Sequence, residues 1–186
     1  MFAGAVGTTG TPPEMGLPEV AFAGKSNVGK SSLINVFTRT RALARTSRTP
    51  GRTQQVNFFS GPSPIALADL PGYGFARAPA AVRAEWRPMV ERYVAERATL
   101  CCIVVIVDAR RGIGEGDRLM MEFGEAHGHD VVVVASKIDK LKRNARDKAL
   151  ATMRQEVEEV FPFSALSRSG IEEIRKRLER YGYAKK

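Results

Sequence analysis

The chain has 186 residues, of which 29 are Lys or Arg and 20 are Asp or Glu, which gives a formal net charge of +9. With 44% hydrophobic, 26% charged and 8% aromatic residues, its composition is that of a globular protein and excludes a fibrous or disordered chain. The longest apolar run, residues 100–107, is far shorter than the roughly 20 residues of a membrane span. Residues 1–18 contain no Lys or Arg and no sustained apolar stretch, so no secretory signal is expected.

The two cysteines, Cys101 and Cys102, are adjacent within an apolar, strand-like run. Neighbouring strand residues point to opposite faces, so we expect two buried, small hydrophobic side chains and neither a disulfide bond nor a metal site. This cysteine usage favours a cytoplasmic protein.

The positive charge is concentrated in one quarter of the chain. Residues 20–68 hold seven basic side chains and no Asp or Glu, whereas the remaining 137 residues hold 22 basic and 20 acidic ones. Two interpretations are open: a solvated loop that favours solubility, or a segment that contacts the phosphates of a nucleotide, of RNA, or of both. A second basic cluster comprises Arg175, Lys176, Arg177, Arg180, Lys185 and Lys186. Three glutamates in the same stretch favour a solvated helix face there.

Strands and helices are predicted to alternate along the chain. A flexible lead-in over residues 1–18 precedes one domain over residues 19–186. Strands are predicted at residues 19–23, 54–59, 65–69, 100–107, 130–135 and 161–164. Helices are predicted at residues 28–38, 82–94, 117–123, 146–160 and 171–181; Asp117 would cap the third, and Pro88 would kink or split the second. This alternation predicts an open α/β sheet with right-handed crossovers.

The strongest local signal is a GxxxxGKS motif between a predicted strand and a predicted helix. Its glycines let consecutive backbone N–H groups surround phosphates at the helix N-terminus. Lys30 would neutralise the β- and γ-phosphate oxygens, and the Ser31 hydroxyl would ligate Mg²⁺. The nucleotide-binding residues of this phosphate loop are Gly24, Lys25, Ser26, Asn27, Val28, Gly29, Lys30, Ser31 and Ser32.

A DxxG motif ends a later strand and consists of Asp69, Leu70, Pro71 and Gly72. Asp69 can hold Mg²⁺ through water, and the Gly72 N–H can sense the γ-phosphate. Thr53, in the basic loop before it, is the candidate for a second metal ligand once GTP orders that loop, with Thr46 and Thr49 as competitors. Lys30, Thr53 and Gly72 are the candidate catalytic residues.

Base recognition is predicted in two segments that each follow a strand. The Asp139 carboxylate can accept hydrogen bonds from the guanine ring N–H and amino group, a pair of donors that adenine lacks. The aliphatic stem of Lys137 would stack over the purine, two residues earlier. In the second segment, at Ser164 and Ala165, a backbone N–H can face the guanine carbonyl.

In this order the motifs resemble the five-motif set of the small GTPases and, more closely, the EngB family (also called YihA or YsxC). That family comprises bacterial GTPases of ribosome assembly in the TrmE–Era–EngA–EngB group. The resemblance runs from about residue 18 to the end of the chain, and PGRTQ at residues 50–54 and PGYGFA at residues 71–76 are its most specific parts. It implies further nucleotide contacts at Gly51, Arg52, Thr53, Ser136, Phe163, Ser164 and Ala165.

The resemblance implies the three-layer P-loop NTPase fold of Ras-like GTPases: a mostly parallel sheet with one antiparallel edge strand and helices on both faces. It implies GTP or GDP with Mg²⁺ as ligands, and K⁺ near Asn27, which resembles a K⁺-coordinating Asn of related proteins. Two residues depart from the family pattern: Ser136 stands where Thr is common, and Lys25 stands where Arg is usual. Tyr73 occupies the position of the water-orienting Gln of Ras-like proteins, so slow hydrolysis is expected.

The function implied by the resemblance is a GTP-dependent switch in assembly of the large ribosomal subunit, needed for normal cell division. A cytoplasmic monomer that contacts rRNA and no membrane is expected. Two alternatives stay open: an rRNA-binding scaffold that nucleotide stabilises with negligible turnover, and a P-loop enzyme such as a kinase. A kinase would need a lid and a substrate-binding insert, and neither is evident in 186 residues.

Overall fold

The computed structural model describes residues 1–7, 10–40, 43–44, 55–73 and 80–183, without the side chains of residues 80–87. The strands in these ranges are β1 (Phe2–Val6), β2 (Glu19–Gly24), β3 (Val56–Phe59), β4 (Ala66–Asp69), β5 (Leu100–Asp108), β6 (Asp130–Ser136) and β7 (Val160–Pro162). The helices are α1 (Lys30–Phe37), α2 (Ala80–Glu96), α3 (Glu115–Ala126), α4 (Arg143–Met153) and α5 (Ile171–Tyr183). None of these helices is long and apolar enough to cross a membrane.

All seven strands form one sheet, in the order β1-β3-β4-β2-β5-β6-β7. The pairs β4–β2, β2–β5, β5–β6 and β6–β7 are parallel, and β3 is antiparallel to both of its neighbours. The predicted α/β class, with a mostly parallel sheet and an antiparallel strand towards one edge, is therefore confirmed.

The edge strand β1 corrects the expectation of a flexible lead-in over residues 1–18. Its backbone pairs with β3 from Phe2, opposite Phe59, to Val6, opposite Val56. Val6 is buried, and the Phe2 ring packs edge-on against Phe59 with centroids 5.8 Å apart. The small residues between Phe2 and Val6 give no periodic signal in the sequence. Their pairing depends on hydrogen bonds to a strand some fifty residues away, which local patterns do not report.

The helices cover both faces of the sheet, because successive residues of the central strands bury opposite sides. In β5, Ile103 and Val105 pack with buried residues of α2, α3 and α4, whereas Cys102 and Val104 pack with those of α1 and α5. Cys102 is fully buried, as predicted, and burial raises the pKa of its thiol to about 12. Cys101 is only half-buried, so the prediction of two buried thiols was wrong for that residue.

Helices α2, α3 and α4 show the most informative differences from the sequence prediction. Of the predicted kink or split at Pro88, the split does not occur, because helix α2 runs through Pro88 as one continuous element; Pro88 is exposed, and the following Met89 and Val90 fix the helix to the sheet. Helix α3 begins before Asp117, which accepts the Gly114 N–H at 2.9 Å from within the first turn. Helix α4 begins and ends earlier than residues 146–160.

A buried charged network fixes the first residue of β2. The carboxylate of Glu19 is fully buried and accepts hydrogen bonds from Arg97 Nε at 2.9 Å, Tyr93 Oη at 3.0 Å and Thr99 Oγ1 at 2.8 Å. Arg97 also donates to the Pro13 carbonyl at 2.7 Å. The network therefore joins β2, the end of α2 and the chain that precedes β2.

Replacing Glu19 with Ala should lower the free energy of unfolding by about 3 kcal/mol, because it leaves the Arg97 guanidinium without its buried counter-charge. Urea unfolding monitored by circular dichroism measures this. The matched control is Glu158→Ala at an exposed position, where a change within about 0.5 kcal/mol is expected. Equal losses in the two variants would contradict a structural role for the network.

Candidate functional site

The motif residues meet at one edge of the sheet because they follow parallel strands. Gly24 ends β2, Asp69 ends β4, Asp108 ends β5, Ser136 ends β6, and Ser164 lies two residues beyond β7. β2 lies between β4 and β5. Helix α1 follows β2 and helix α2 precedes β5, and the two helices lie on opposite faces of the sheet. Open α/β sheets bind ligands at such a point, outside the carboxyl ends of the strands.

The phosphate loop leaves β2 through a close backbone contact. A Cβ atom on Gly24 would lie 2.7 Å from the Ile106 carbonyl oxygen and 2.9 Å from Val28 Cγ1, so only glycine fits. Asn27 and Gly29 both adopt positive φ, at 61° and 111°, which turns the chain into α1. Left-handed backbone at a residue other than glycine is uncommon and concentrates at binding sites.

The N-terminus of α1 can receive an anion. It has no side-chain cap and no acidic residue in its first turn. The first hydrogen bond back along the helix runs from the Leu33 N–H to the Gly29 carbonyl at 2.9 Å, so the preceding N–H groups of Lys30, Ser31 and Ser32 have no intrahelical acceptor. These donors and the helix dipole favour a phosphate at this position.

Lys30 and Asp69 form a nearly buried ion pair between the phosphate loop and the end of β4. The Ser31 hydroxyl and the Asp69 carboxylate supply hard oxygen donors, the kind that Mg²⁺ prefers, so these residues fit the predicted metal. Within the described ranges, no group of three or more Asp, Glu, His or Cys side chains is arranged to hold a metal ion. The remaining predicted ligand, Thr53, lies outside the described residues, as do Gly51 and Arg52.

Ser136 connects the end of β6 to the phosphate loop. Its buried hydroxyl lies 2.6 Å from the Val28 carbonyl and 3.0 Å from the Val107 carbonyl, and can donate to either. Serine therefore still bonds the neighbouring loop at the position where the family commonly has threonine. The bond fixes the distance between the phosphate loop and the base-recognition segment.

Lys137 is held by a second contact between these loops. Its backbone is left-handed, with φ at 59°, and its ammonium donates to the Asn27 carbonyl at 2.6 Å and to Asp108 Oδ2 at 3.0 Å. Arg110 also donates to both oxygens of Asp108, at 2.9 and 2.6 Å. Hydrogen bonds from Arg110 and then Lys137 hold the pKa of the Asp108 carboxyl well below its usual range, against the opposing effect of burial.

Asp108 and Arg110 were not identified from the sequence. A sequence signal for Asp108 was present: it directly follows the apolar run 100–107, just as Asp69 stands at the end of its predicted strand. The motif set did not include that position.

Asp139, the residue predicted to recognise the base, is oriented by the loop that follows β7. Its Oδ1 accepts a hydrogen bond from the Ser164 hydroxyl at 2.7 Å, and this bond lowers the pKa of the Asp139 carboxyl. The Ile138 N–H donates to the Phe163 carbonyl at 3.3 Å. Phe163 and Ser164 are buried, whereas Ala165 is exposed. Phe163 therefore packs in the core below the site. Ala165 lies at the surface, where its backbone is accessible to a ligand.

The DxxG segment lies directly against the phosphate loop. The Leu70 N–H donates to the Phe22 carbonyl at 3.0 Å, and the Tyr73 N–H donates to the Gly24 carbonyl at 3.3 Å. Leu70, Pro71 and Tyr73 are buried, whereas Gly72 is partly exposed. Tyr73 packs into the hydrophobic core on the α2–α4 side of the sheet. Gly72 is thus the residue of this turn that remains accessible to a ligand on the phosphate loop.

This combination of a strand-to-helix phosphate loop, an adjacent DxxG turn and an oriented strand-end aspartate defines the chain as a P-loop GTPase. A family model described as 50S ribosome-binding GTPase matches residues 19–137. The GTP-binding protein EngB of Geobacter metallireducens is 51% identical over 172 residues, which cover 90% of this chain and 83% of that protein. The EngB protein of Geobacter sulfurreducens is 49% identical and covers 92% of this chain and 87% of its own length. The chain belongs to the EngB family of GTP-binding proteins.

Solved structures agree at the level of the fold. A crystal structure of an EngB GTP-binding protein has a TM-score of 0.74 at 23% identity and covers 90% of this chain and 100% of its own. The structure of Era in complex with MgGDPNP and nucleotides 1506–1542 of 16S ribosomal RNA has a TM-score of 0.70 at 23% identity, covering 89% of this chain and 56% of its own.

The Ser136 contact predicts a difference between two substitutions. Ser136→Ala leaves the buried carbonyls of Val28 and Val107 without this donor, which should cost about 2 kcal/mol of stability and weaken GDP binding several-fold. Ser136→Thr keeps the hydroxyl and should bind GDP like the native chain. Isothermal titration calorimetry and thermal unfolding measure the two effects. Equal GDP affinity in the Ala and Thr variants would contradict a role for the hydroxyl.

Proposed function

We propose that this chain is a slow GTPase that binds GTP and GDP with Mg²⁺ and acts as a switch in assembly of the large ribosomal subunit. The observation that carries the proposal is the convergence of the phosphate loop, the DxxG turn and the Asp139 segment at one sheet edge. The alternative of a small-substrate kinase is disfavoured, because Asp139 provides for guanine and no substrate-binding insert is evident.

Each site residue has a chemical role in this proposal. The backbone N–H groups of residues 24–32 bind the phosphates, and Lys30 leaves Asp69 to neutralise the β- and γ-phosphate oxygens. The Gly72 N–H contacts the γ-phosphate, and Asp139 selects guanine by accepting two hydrogen bonds. Ser31, Thr53 and, through water, Asp69 would hold Mg²⁺, which supplies charge neutralisation at the phosphates when bound.

Slow turnover follows from Tyr73. Its phenol is buried in the core, and it has no amide with which to orient an attacking water as the Gln of Ras-like proteins does. Stimulation would come from a partner, from ordering of the basic loop 39–53, or from a cation. We include K⁺ near Asn27 in the proposal, as a fixed positive charge beside the phosphates.

Single-turnover hydrolysis of GTP tests this proposal. The native chain should hydrolyse GTP measurably but slowly, faster in KCl than in NaCl at equal ionic strength, and Lys30→Ala should abolish the reaction. Equal rates in the two salts would remove K⁺ from the mechanism. A native rate no higher than that of Lys30→Ala would favour the second candidate, a nucleotide-stabilised rRNA scaffold, which the buried Tyr73 also supports.

The ribosomal partner is supported by charge as well as by family. Lys25 and Lys30 are paired with Asp117 and Asp69, so the basic residues of the 39–53 loop carry the local excess that would meet rRNA. Most of that loop lies outside the described residues. The solved complex of Era with an rRNA fragment shows an RNA partner for that protein.

Another basic surface lies at the start of helix α4 and in the residues just before it. Residues 140–148 contain five basic side chains and one acidic, and the side chain of Arg143 is 86% exposed. Cations in the first turn of a helix oppose its dipole, so an anionic partner would relieve a cost that the isolated chain carries. In α5, by contrast, Arg175 donates to the Phe37 carbonyl and Arg177 to Glu159, so both of these cations already have partners within the fold.

Co-sedimentation with large ribosomal subunits across a salt series tests the partner. Binding should require a non-hydrolysable GTP analogue, weaken steeply with salt, and fall about ten-fold in the double variant Lys142→Ala/Arg143→Ala. The matched control, Lys176→Ala/Arg180→Ala, removes the same charge from exposed positions of α5. Binding that is indifferent to nucleotide, or equally weakened by both variants, would reduce the interaction to nonspecific attraction. A role in cell division and a cytoplasmic, monomeric state complete the proposal on the strength of the family alone.

A further inference from the structure

The backbone of Tyr73 is anchored against the phosphate loop. Its backbone forms an isolated parallel bridge with Lys25, in which the Ser26 N–H donates to the Tyr73 carbonyl at 3.4 Å. A Cβ atom on the preceding Gly72 would lie 2.9 Å from Ser26 Oγ. The segments at residues 24–26 and 72–73 are thus in direct contact. Because Gly72 precedes Tyr73 in the chain, a shift of Tyr73 must move the Gly72 N–H as well.

The side chain of Tyr73 faces the first turn of α3. A Cβ atom on Gly116 would lie 3.4 Å from the Tyr73 ring, so one edge of the ring packs against this turn. The Tyr73 hydroxyl and Asp117 Oδ1 are both buried, and neither has a hydrogen-bond partner within the described residues. Burial and then the charge of Asp117 raise the pKa of the Tyr73 hydroxyl.

Asp117 is buried between the start of α3 and the phosphate loop. Its Oδ2 accepts the Gly114 N–H at 2.9 Å and lies 3.7 Å from Lys25 Nζ, and its side chain is only 3% exposed. Its Oδ1 accepts no hydrogen bond from the described residues, so it remains available as an acceptor for the Tyr73 hydroxyl. A carboxylate needed only as a helix cap would have no reason to be sequestered with a free oxygen beside a buried phenol.

We infer that Asp117 is a positioning residue for the γ-phosphate contact: together with Lys25 it holds Tyr73, and through Tyr73 the Gly72 N–H, against the phosphate loop. This inference rests on the proposed function, because it assumes that Gly72 contacts the γ-phosphate of GTP. It assigns Tyr73 a structural use in place of the water-orienting role that its position has in Ras-like proteins.

The test compares the affinities of a non-hydrolysable GTP analogue and of GDP in each variant. Asp117→Ala should lower the ratio of GTP-analogue to GDP affinity about ten-fold. Only the GTP analogue has the γ-phosphate that the Gly72 N–H contacts, and loss of one charge-assisted hydrogen bond lowers affinity by about ten-fold. Glu115→Ala is the matched control, since it removes an exposed acid from the same helical turn and should leave the ratio unchanged. Asp117→Asn can keep the helix cap while removing the charge, so it serves if the Ala variant does not fold.

A double-mutant cycle with Tyr73→Phe tests whether Asp117 acts through the phenol. In the Phe background, Asp117→Ala should change the affinity ratio little further. The inference is overturned if Asp117→Ala and Asp117→Asn weaken both nucleotides equally, or if the Ala effect is the same with Tyr or Phe at position 73. Failure of the native chain to bind either nucleotide would instead refute the proposed function itself.

Discussion

The close packing of β2 between β4 and β5 is the constraint on which the rest of the structure depends. All six residues of β2 are buried, and it ends where Gly24 passes the Ile106 carbonyl with no room for a side chain. This contact fixes the start of the phosphate loop relative to β5. Since β4, β5 and β6 run parallel to β2, the residues at their carboxyl ends are brought to the same loop without any further device.

Cross-connections between loops then hold the site at that edge. Ser136 bonds the Val28 carbonyl, Lys137 bonds the Asn27 carbonyl, and Ser164 bonds Asp139. Each joins two segments far apart in sequence, so the regions predicted to recognise the base and to bind the phosphates are directly connected. The site residues also neutralise one another, because Lys30 and Lys137 each face a buried or nearly buried carboxylate. On ligand binding, a lysine such as Lys30 would exchange its carboxylate partner for a phosphate, so the phosphate would not meet an unpaired cation.

The sequence predicts those parts of this arrangement that depend on local patterns of residues. The motif at residues 24–31, the apolar run before Asp108 and the alternation of strands with helices predict the sheet and the position of the phosphate loop. The contacts of Asp108 with Lys137 and of Asp117 with Lys25 could not be predicted, because each joins segments that only the folded topology brings together. Pro88 misled the helix prediction because local propensity is weaker than a buried face that holds the helix to the sheet. The edge strand β1 was missed for a related reason, since its small residues signal nothing until β3 lies beside them.

That edge strand has a consequence for the behaviour of the protein outside its ligand cycle. β3 is short and apolar, and without β1 its free row of amide and carbonyl groups would lie open at the margin of the sheet. Exposed apolar edges template pairing with other chains and so promote aggregation. Residues 2–6 therefore act as a cover for the sheet, and proteolytic trimming or a bulky N-terminal fusion would be expected to harm solubility before it harms the distant nucleotide site.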